Sequence, residues 1–198
     1  MKTVEFIKIR EEVREVVDEK RYEHILGVSY TASSMAMRYG VDVEKARLAG
    51  LLHDYAKCMD DKKLLDFCSK HNILVTPYEK ESPYLLHGKV AAYLAQAKFD
   101  VEDIDILNAI SNHTTGRPGM SPLEKIIYIA DFIEPNRKNL EVMPEARRLA
   151  FCDLDQCLIF ILRSCLKHLE NSGAKVDPTT IATYEYYKDK CNDTIMKR

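Results

Sequence analysis

Along nearly the whole chain apolar side chains return at every third or fourth position, and no stretch alternates polar with apolar residues for long enough to make a strand. This periodicity constrains the fold more than any other feature, because such stripes are buried only when helices pack on one another. Residues 23–39 show it well: Ile25, Val28, Ala32, Met35, Ala36 and Tyr39 share one face, and Gly40 follows as a natural stop. Further helices are expected over residues 4–17, from Asp42 as cap to about Tyr55, from Asp60 or Asp61 onward, over 84–98, over 102–113 with Asp100 as cap, over 154–169, and from Pro178 towards Asp189. Ser121-Pro122-Leu123-Glu124 joins a capping Ser to Pro at the first helical position and Glu at the third, which opens another helix that Pro135 stops. Residues 72–83, with two prolines, and 114–119 read as loops. The expected fold class is all-α, and seven Gly and seven Pro in 198 residues suit it better than a turn-rich β architecture.

A chain of this length buries one sizeable core, and a single domain over 1–198 is expected. With 29 Lys+Arg against 31 Asp+Glu, the net charge of −2 argues against a nucleic-acid polymer or an anionic membrane as partner. An apolar fraction of 46% excludes intrinsic disorder. The longest apolar run, residues 157–162, falls far short of the ~20 residues that span a bilayer. Charges run through the first twenty residues, without a secretory or transit pattern. The six cysteines, Cys58, Cys68, Cys152, Cys157, Cys165 and Cys191, contain no C-x-x-C spacing and are expected as free thiols in a reducing, cytoplasmic setting.

The chemistry centres on His53-Asp54, which closes the third helix above the small residues Ala46 and Gly50. Small side chains there leave room for an ion or for a closely packed neighbouring helix. Four of the six histidines, His24, His53, His87 and His113, fall on separate helices. His87 leads the stripe Val90, Ala91, Leu94, and His113 closes the stripe Ile106, Ala109, Ile110, so both point inward. Several buried imidazoles in one bundle need hydrogen-bond or metal partners. Asp131 sits at the edge of the stripe Leu123, Ile126, Ile127, Ala130, where it must meet donors or a cation, an arginine such as Arg137 included. His71 and His168 lie outside this pattern and are expected on the surface.

The ordered set His24, His53-Asp54, His87, His113, Asp131 resembles the HD-domain metal-dependent phosphohydrolase superfamily. The phrases Arg21-Tyr22-Glu23-His24, Gly50-Leu51-Leu52-His53-Asp54-Tyr55-Ala56-Lys57, Leu86-His87-Gly88, Asn112-His113-Thr114-Thr115-Gly116 and Tyr128-Ile129-Ala130-Asp131-Phe132-Ile133-Glu134-Pro135-Asn136-Arg137 are similar to the YqeK family of bacterial HD proteins, and so is the tail Pro178–Tyr184. The resemblance implies an HD-domain helical bundle whose C-terminal helix contributes to a nucleotide site. It implies symmetrical hydrolysis of diadenosine tetraphosphate (Ap4A) to two ADP. The implied metal ligands are His24, His53, Asp54 and Asp131, with iron as the ion and Mn, Co or Zn as substitutes. Catalytic roles fall to Asp54, Lys57, His87 and His113. The implied nucleotide contacts are His24, Asp54, Tyr55, Ala56, Lys57, His87, His113, Thr114, Asp131, Arg137, Thr179, Thr180, Ile181, Ala182, Thr183 and Tyr184.

These residue types suit the implied chemistry. Mixed imidazole and carboxylate ligands favour Fe, Mn, Co or Zn over Mg or Ca, and such an ion makes a water nucleophilic at neutral pH. Lys57 can meet phosphate as a point charge and Arg137 bidentately. His87 and His113 suit phosphate contact or proton donation, or a second metal bridged by Asp54. Thr179 and Thr180, just after Pro178, sit where free helix-end N–H groups favour phosphate, or simply cap the helix. The rivals are another HD nucleotide phosphohydrolase or phosphodiesterase, and a nucleotide-sensing module without turnover. Dinucleoside polyphosphate and ADP are the expected partners, and a homodimer is compatible with the sequence.

Overall fold

The protein, described here from a computed structural model over residues 3–137 and 140–196, is built among those residues from eleven α-helices and no strand. The all-α expectation is borne out, and local chemistry accounts for most helix ends. After α1 (Thr3–Val16), Asp18 opens α2 (Glu19–Tyr39) by accepting from the Arg21 N–H, and Gly40 closes it in the left-handed region at φ 67°. The Asp42 carboxylate accepts from the N–H groups of Glu44 and Lys45 to start α3 (Val43–Leu52). This helix stops short of Tyr55 because the chain tightens into three-residue turns, Tyr55 N–H to Leu52 O, Lys57 N–H to Asp54 O and Met59 N–H to Ala56 O. Those turns spread His53, Asp54 and Lys57 around the end of α3.

Next come α4 (Asp61–Lys70), capped by Asp60, and α5 (Pro77–Glu81). The latter lies inside the segment read as a loop, because Thr76 and Glu79 form a capping box and Pro77 fits the first turn. A 3-10 turn, Pro83–Leu86, leads into α6 (His87–Phe99). Asp100 does not cap the following helix; it ends α6 in a left-handed conformation, φ 52°, and Asp103 caps α7 (Ile104–Ser111) instead. The Ser121 box opens α8 (Pro122–Ile133), with both of its hydrogen bonds made. α9 (Met143–Ala150) has no counterpart in the sequence reading; α10 (Leu154–Ser172) and α11 (Pro178–Met196) complete the chain.

α2 packs most extensively on α3, α8 crosses both, α7 joins α6 to α8, and α10 covers α8 and carries α11. The continuous core includes Ile25, Met35, Leu51, Leu52, Ile110 and Ile127. Two glycines set close approaches to the backbone of neighbouring helices. A Cβ on Gly50 would stand 2.8 Å from the Ser29 Cα of α2, and one on Gly88 would stand 2.8 Å from the Ser111 carbonyl oxygen of α7. These contacts bring the helix of His53 against that of His24, and the helix of His87 against the chain that carries His113.

Of the histidines expected on the surface, His168 is exposed, whereas His71 is partly covered between Phe67 and Tyr93, with ring centroids 4.3 and 4.6 Å away. Cys58, Cys68, Cys152, Cys157 and Cys165 are free thiols, and burial pushes the Cys157 thiol up to about 12. Cys191 lies outside the described side chains. Among the described residues no helix is long and apolar enough to cross a membrane.

Gly50→Ala tests the α2–α3 approach. The added methyl meets backbone rather than a yielding side chain, so unfolding stability should fall by about 1–3 kcal/mol in urea titrations despite alanine's better helix propensity. An unchanged midpoint would contradict the close approach.

Candidate active site

Each of the four inward imidazoles is tethered through Nδ1. His53 donates to the Gly50 carbonyl at 2.7 Å, His113 to the Ile110 carbonyl at 2.7 Å, and His87 to the Tyr84 carbonyl. His24 donates to the Glu134 carboxylate at 3.0 Å. Carbonyl and carboxylate oxygens only accept, so each Nδ1 carries the hydrogen and each Nε2 presents a lone pair. The four lone pairs converge on one buried space at the end of α3.

Asp54 and Asp131 enter the same space. Asp54 Oδ2 lies 3.7 Å from His24 Nε2 and 3.4 Å from His53 Nε2, and Asp131 Oδ1 lies 3.0 and 3.8 Å from the same nitrogens. These are acceptors facing acceptors, and His24 Nε2 and His53 Nε2 are buried without a hydrogen-bond partner. Such an arrangement is costly unless a cation stands between the atoms. Ligand atoms about 2.1 Å from one ion lie roughly 3.0–3.4 Å from their neighbours, close to the separations seen. The donor set therefore fits a transition metal, and His24, His53 and Asp131 form one cluster of metal-holding geometry. Two guanidinium groups brace the carboxylates: Arg21 donates to Asp54 Oδ2 at 2.7 Å, and Arg137 to Asp131 Oδ1 at 2.5 Å. The Arg137 partner anticipated for Asp131 is thus present together with the histidine, rather than in place of it.

Behind Asp54 lies a second group. His87 Nε2 and His113 Nε2 are 3.0 Å apart, and Asp54 Oδ1 is 3.1 and 3.6 Å from them. Lys57 Nζ is 3.4 Å from His87 Nε2, and the Thr114 hydroxyl is 3.2 Å from His113 Nε2. Burial alone would raise the Asp54 carboxyl, yet the imidazoles of His53, His113 and His87 gathered around it hold it well below its ordinary value. Asp131 is likewise held low: burial opposes this, but the neighbouring His24, the Arg137 guanidinium and His53 prevail. Burial, the largest influence, pushes His87 down to about 4 and also lowers Lys57.

Thr114 also lines a cavity of about 610 Å³ whose walls include Tyr78, Tyr84, Tyr128, Phe132, Ser164, His168 and Thr180. Thr114 thus stands between the cavity and the histidine pair. The loop that carries Thr114 and Thr115 is fixed by Glu124, which is buried and accepts two 2.7 Å bonds from Arg117, one from Asn112 and one from the Ser121 N–H.

The structure brings His24, His53, Asp54, Lys57, His87, His113, Thr114, Asp131 and Arg137 to one place, and Thr180 to the cavity wall. Others lie elsewhere. Tyr55 is buried against Phe99 with its hydroxyl bonded to Lys98, and Ala56 is in the core. Ile181 and Ala182 are exposed. Thr183 is buried and donates to the Thr179 carbonyl at 2.6 Å, and Tyr184 is half-covered with the Lys188 ammonium over its ring. The helix end at Thr179 and Thr180 does not offer free N–H groups: the Asp177 carboxylate accepts from Thr179 at 2.6 Å and its carbonyl from Thr180 at 3.0 Å. Arg21, Glu134 and Asp177 escaped the sequence reading as site residues. Helical spacing was the available signal for two of them, since Arg21 precedes His24, and Glu134 follows Asp131, by three positions.

Residues 21–136 match the family described as HD domain. The chain is 40% identical over 174 residues, covering 88% of it and 92% of the relative, to "Bis(5'-nucleosyl)-tetraphosphatase, symmetrical" of Bacillus subtilis (strain 168). It is 34% identical over 184 residues, 91% of it and 93% of the relative, to the protein of that name in Staphylococcus aureus (strain NCTC 8325 / PS 47). A crystal structure of a "predicted HD superfamily hydrolase involved in NAD metabolism" from Clostridium acetobutylicum superposes with a TM-score of 0.90 at 39% identity, over 93% of this chain and 97% of that one.

The depressed His87 gives a pH expectation for the metal-free protein. Its folded value of about 4 lies below the ordinary 6.5, so the unfolded chain takes up the proton first. The contribution to stability is complete above 6.5 and is lost as pH falls from there through 4. Chemical unfolding at stepped pH should show this decline, and His87→Asn should flatten it; an equal decline in the variant would contradict the assignment.

Proposed function

The chain belongs to the HD-domain family, and from that premise we propose that it is a metal-dependent hydrolase cutting Ap4A at the centre of its phosphate bridge to give two ADP. The observation that carries the reading is the pair of buried, unpartnered lone pairs on His24 and His53 facing Asp54 and Asp131 beside a nucleoside-sized cavity. The names of the Bacillus subtilis and Staphylococcus aureus relatives support the choice of substrate.

His24, His53, Asp54 and Asp131 would hold the ion, for which iron is proposed, with Mn, Co or Zn as substitutes. Bound there, it supplies a water acidic enough to attack phosphorus at neutral pH. Phosphoanhydride cleavage depends mainly on placing the chain and neutralising its charge. Arg21, Lys57 and Arg137 provide three cationic groups around the carboxylates, so the negative bridge is held where Asp54 and Asp131 orient the attack. The cavity between Tyr84, Phe132 and Thr180 accepts one nucleoside, and α11 contributes through Thr180. His87 and His113 both use Nδ1 to donate to carbonyls, so their facing Nε2 lone pairs are left to accept from the Lys57 ammonium, 3.4 Å from His87, and the Thr114 hydroxyl, 3.2 Å from His113. A proton passed from Lys57 through this pair is placed to go to the oxygen of the departing ADP. The free thiols support a reducing compartment, and the cytoplasm is the location proposed.

Incubating metal-analysed protein with Ap4A and separating the nucleotides tests the reading: two ADP per substrate are expected, and AMP with ATP would overturn it. His53→Ala should lose bound metal and turnover together while staying folded. Lys57→Ala should keep its metal and lose turnover by a factor on the order of 10²–10⁴, the range of a positioned acid or charge. A stoichiometry of one ion per chain accords with the four proposed ligands, whereas two would place a second ion between His87 and His113.

A further inference from the structure

The four tethered imidazoles are not equivalent. His53, His87 and His113 each spend Nδ1 on a neutral carbonyl three residues earlier in their own chain segment. His24 alone spends it on a carboxylate, that of Glu134, which comes from the end of α8. Glu134 is 1% exposed, and its other oxygen accepts from the Asn136 N–H at 2.6 Å, so both oxygens are held. Space for it exists because residue 27 has no side chain: a Cβ there would stand 2.3 Å from Glu134 Oε2. The His24 ring is thereby clamped between two carboxylates three positions apart on α8, with Asp131 Oδ1 3.0 Å from Nε2 and Glu134 Oε1 3.0 Å from Nδ1.

We propose that Glu134, seated by Gly27, is the positioning residue that fixes the tautomer and angle of His24 and raises its strength as a metal ligand. A carboxylate behind an imidazole draws on the Nδ1 hydrogen and makes Nε2 the better donor to a metal, an effect a carbonyl gives more weakly. Glu134 itself stays out of the coordination sphere, since Oε1 faces the far side of the ring. The role rests on the metal-bearing reading of the site and is independent of which nucleotide is cleaved.

The test uses cobalt(II) alone, without nucleotide. Metal-stripped wild type, Glu134→Gln and Glu134→Ala are titrated with cobalt against a competing chelator, their visible spectra recorded, and the thermal unfolding of the stripped forms compared. Glu134→Gln should bind cobalt about 10-fold more weakly and Glu134→Ala about 100-fold more weakly, with shifted visible bands. Affinities and spectra equal to wild type, with only the stripped protein's stability lowered, would make Glu134 a structural residue and overturn the inference. If Glu134→Ala does not fold, Glu134→Gln alone decides between these results. Wild type that takes up no cobalt would overturn the metal reading and this role with it, while normal cobalt binding without ADP formation from Ap4A would overturn only the substrate.

Discussion

Everything at this site depends on the fixing of imidazole nitrogens by hydrogen bonds on their outer sides. A buried histidine that can choose its tautomer can also satisfy itself locally. Here Gly50 O, Ile110 O, Tyr84 O and Glu134 take that choice away, and four lone pairs are left facing inward with two carboxylates among them. The fold holds this concentration of acceptors together because the core around it is helix on helix, with glycines at the crossings. The cost of such an arrangement in the metal-free protein is offset in part by Arg21 on Asp54 and Arg137 on Asp131.

Under the proposed function, the same placement links affinity for an ion to contact with the substrate. Under that proposal the guanidinium groups that compensate the carboxylates also lie beside the path of the polyphosphate. The Thr114 hydroxyl that meets the histidine pair also lines the cavity, so under the proposed function a nucleoside seated against Tyr84 and Phe132 would direct its phosphates towards Lys57. One carboxylate, Asp54, serves both sides, with Oδ2 towards His24 and His53 and Oδ1 towards His87 and His113.

Much of the fold was legible because helix signals are local. Ser121 with Glu124, Asp42 and Gly40 each act within one turn, and the sequence states them. The errors have equally local causes. Asp100 and Asp103 are both plausible caps three residues apart, and only backbone conformation shows that the first ends α6 and the second opens α7. Two prolines disguised the capping box of Thr76 and Glu79 as a loop. α9 is short and crowded with charge, so its Met143, Ala146 and Ala150 stripe was too thin to notice. At the site, the order of histidines and aspartates carried the family resemblance that implied His24, His53, Asp54 and Asp131 as ligands, but partners across the bundle were not legible. Glu134, Arg21 and the Asp177 cap acquire meaning only when distant segments meet, as do the aromatic walls of the cavity.

The central claim is that His24, His53, Asp54 and Asp131 surround a single transition ion. X-ray absorption spectroscopy of the iron-loaded protein measures this most directly. The account expects a first shell of nitrogen and oxygen at about 2.1 Å with outer-shell scattering from two imidazole rings. A shell of oxygen alone, without imidazole scattering, would contradict it.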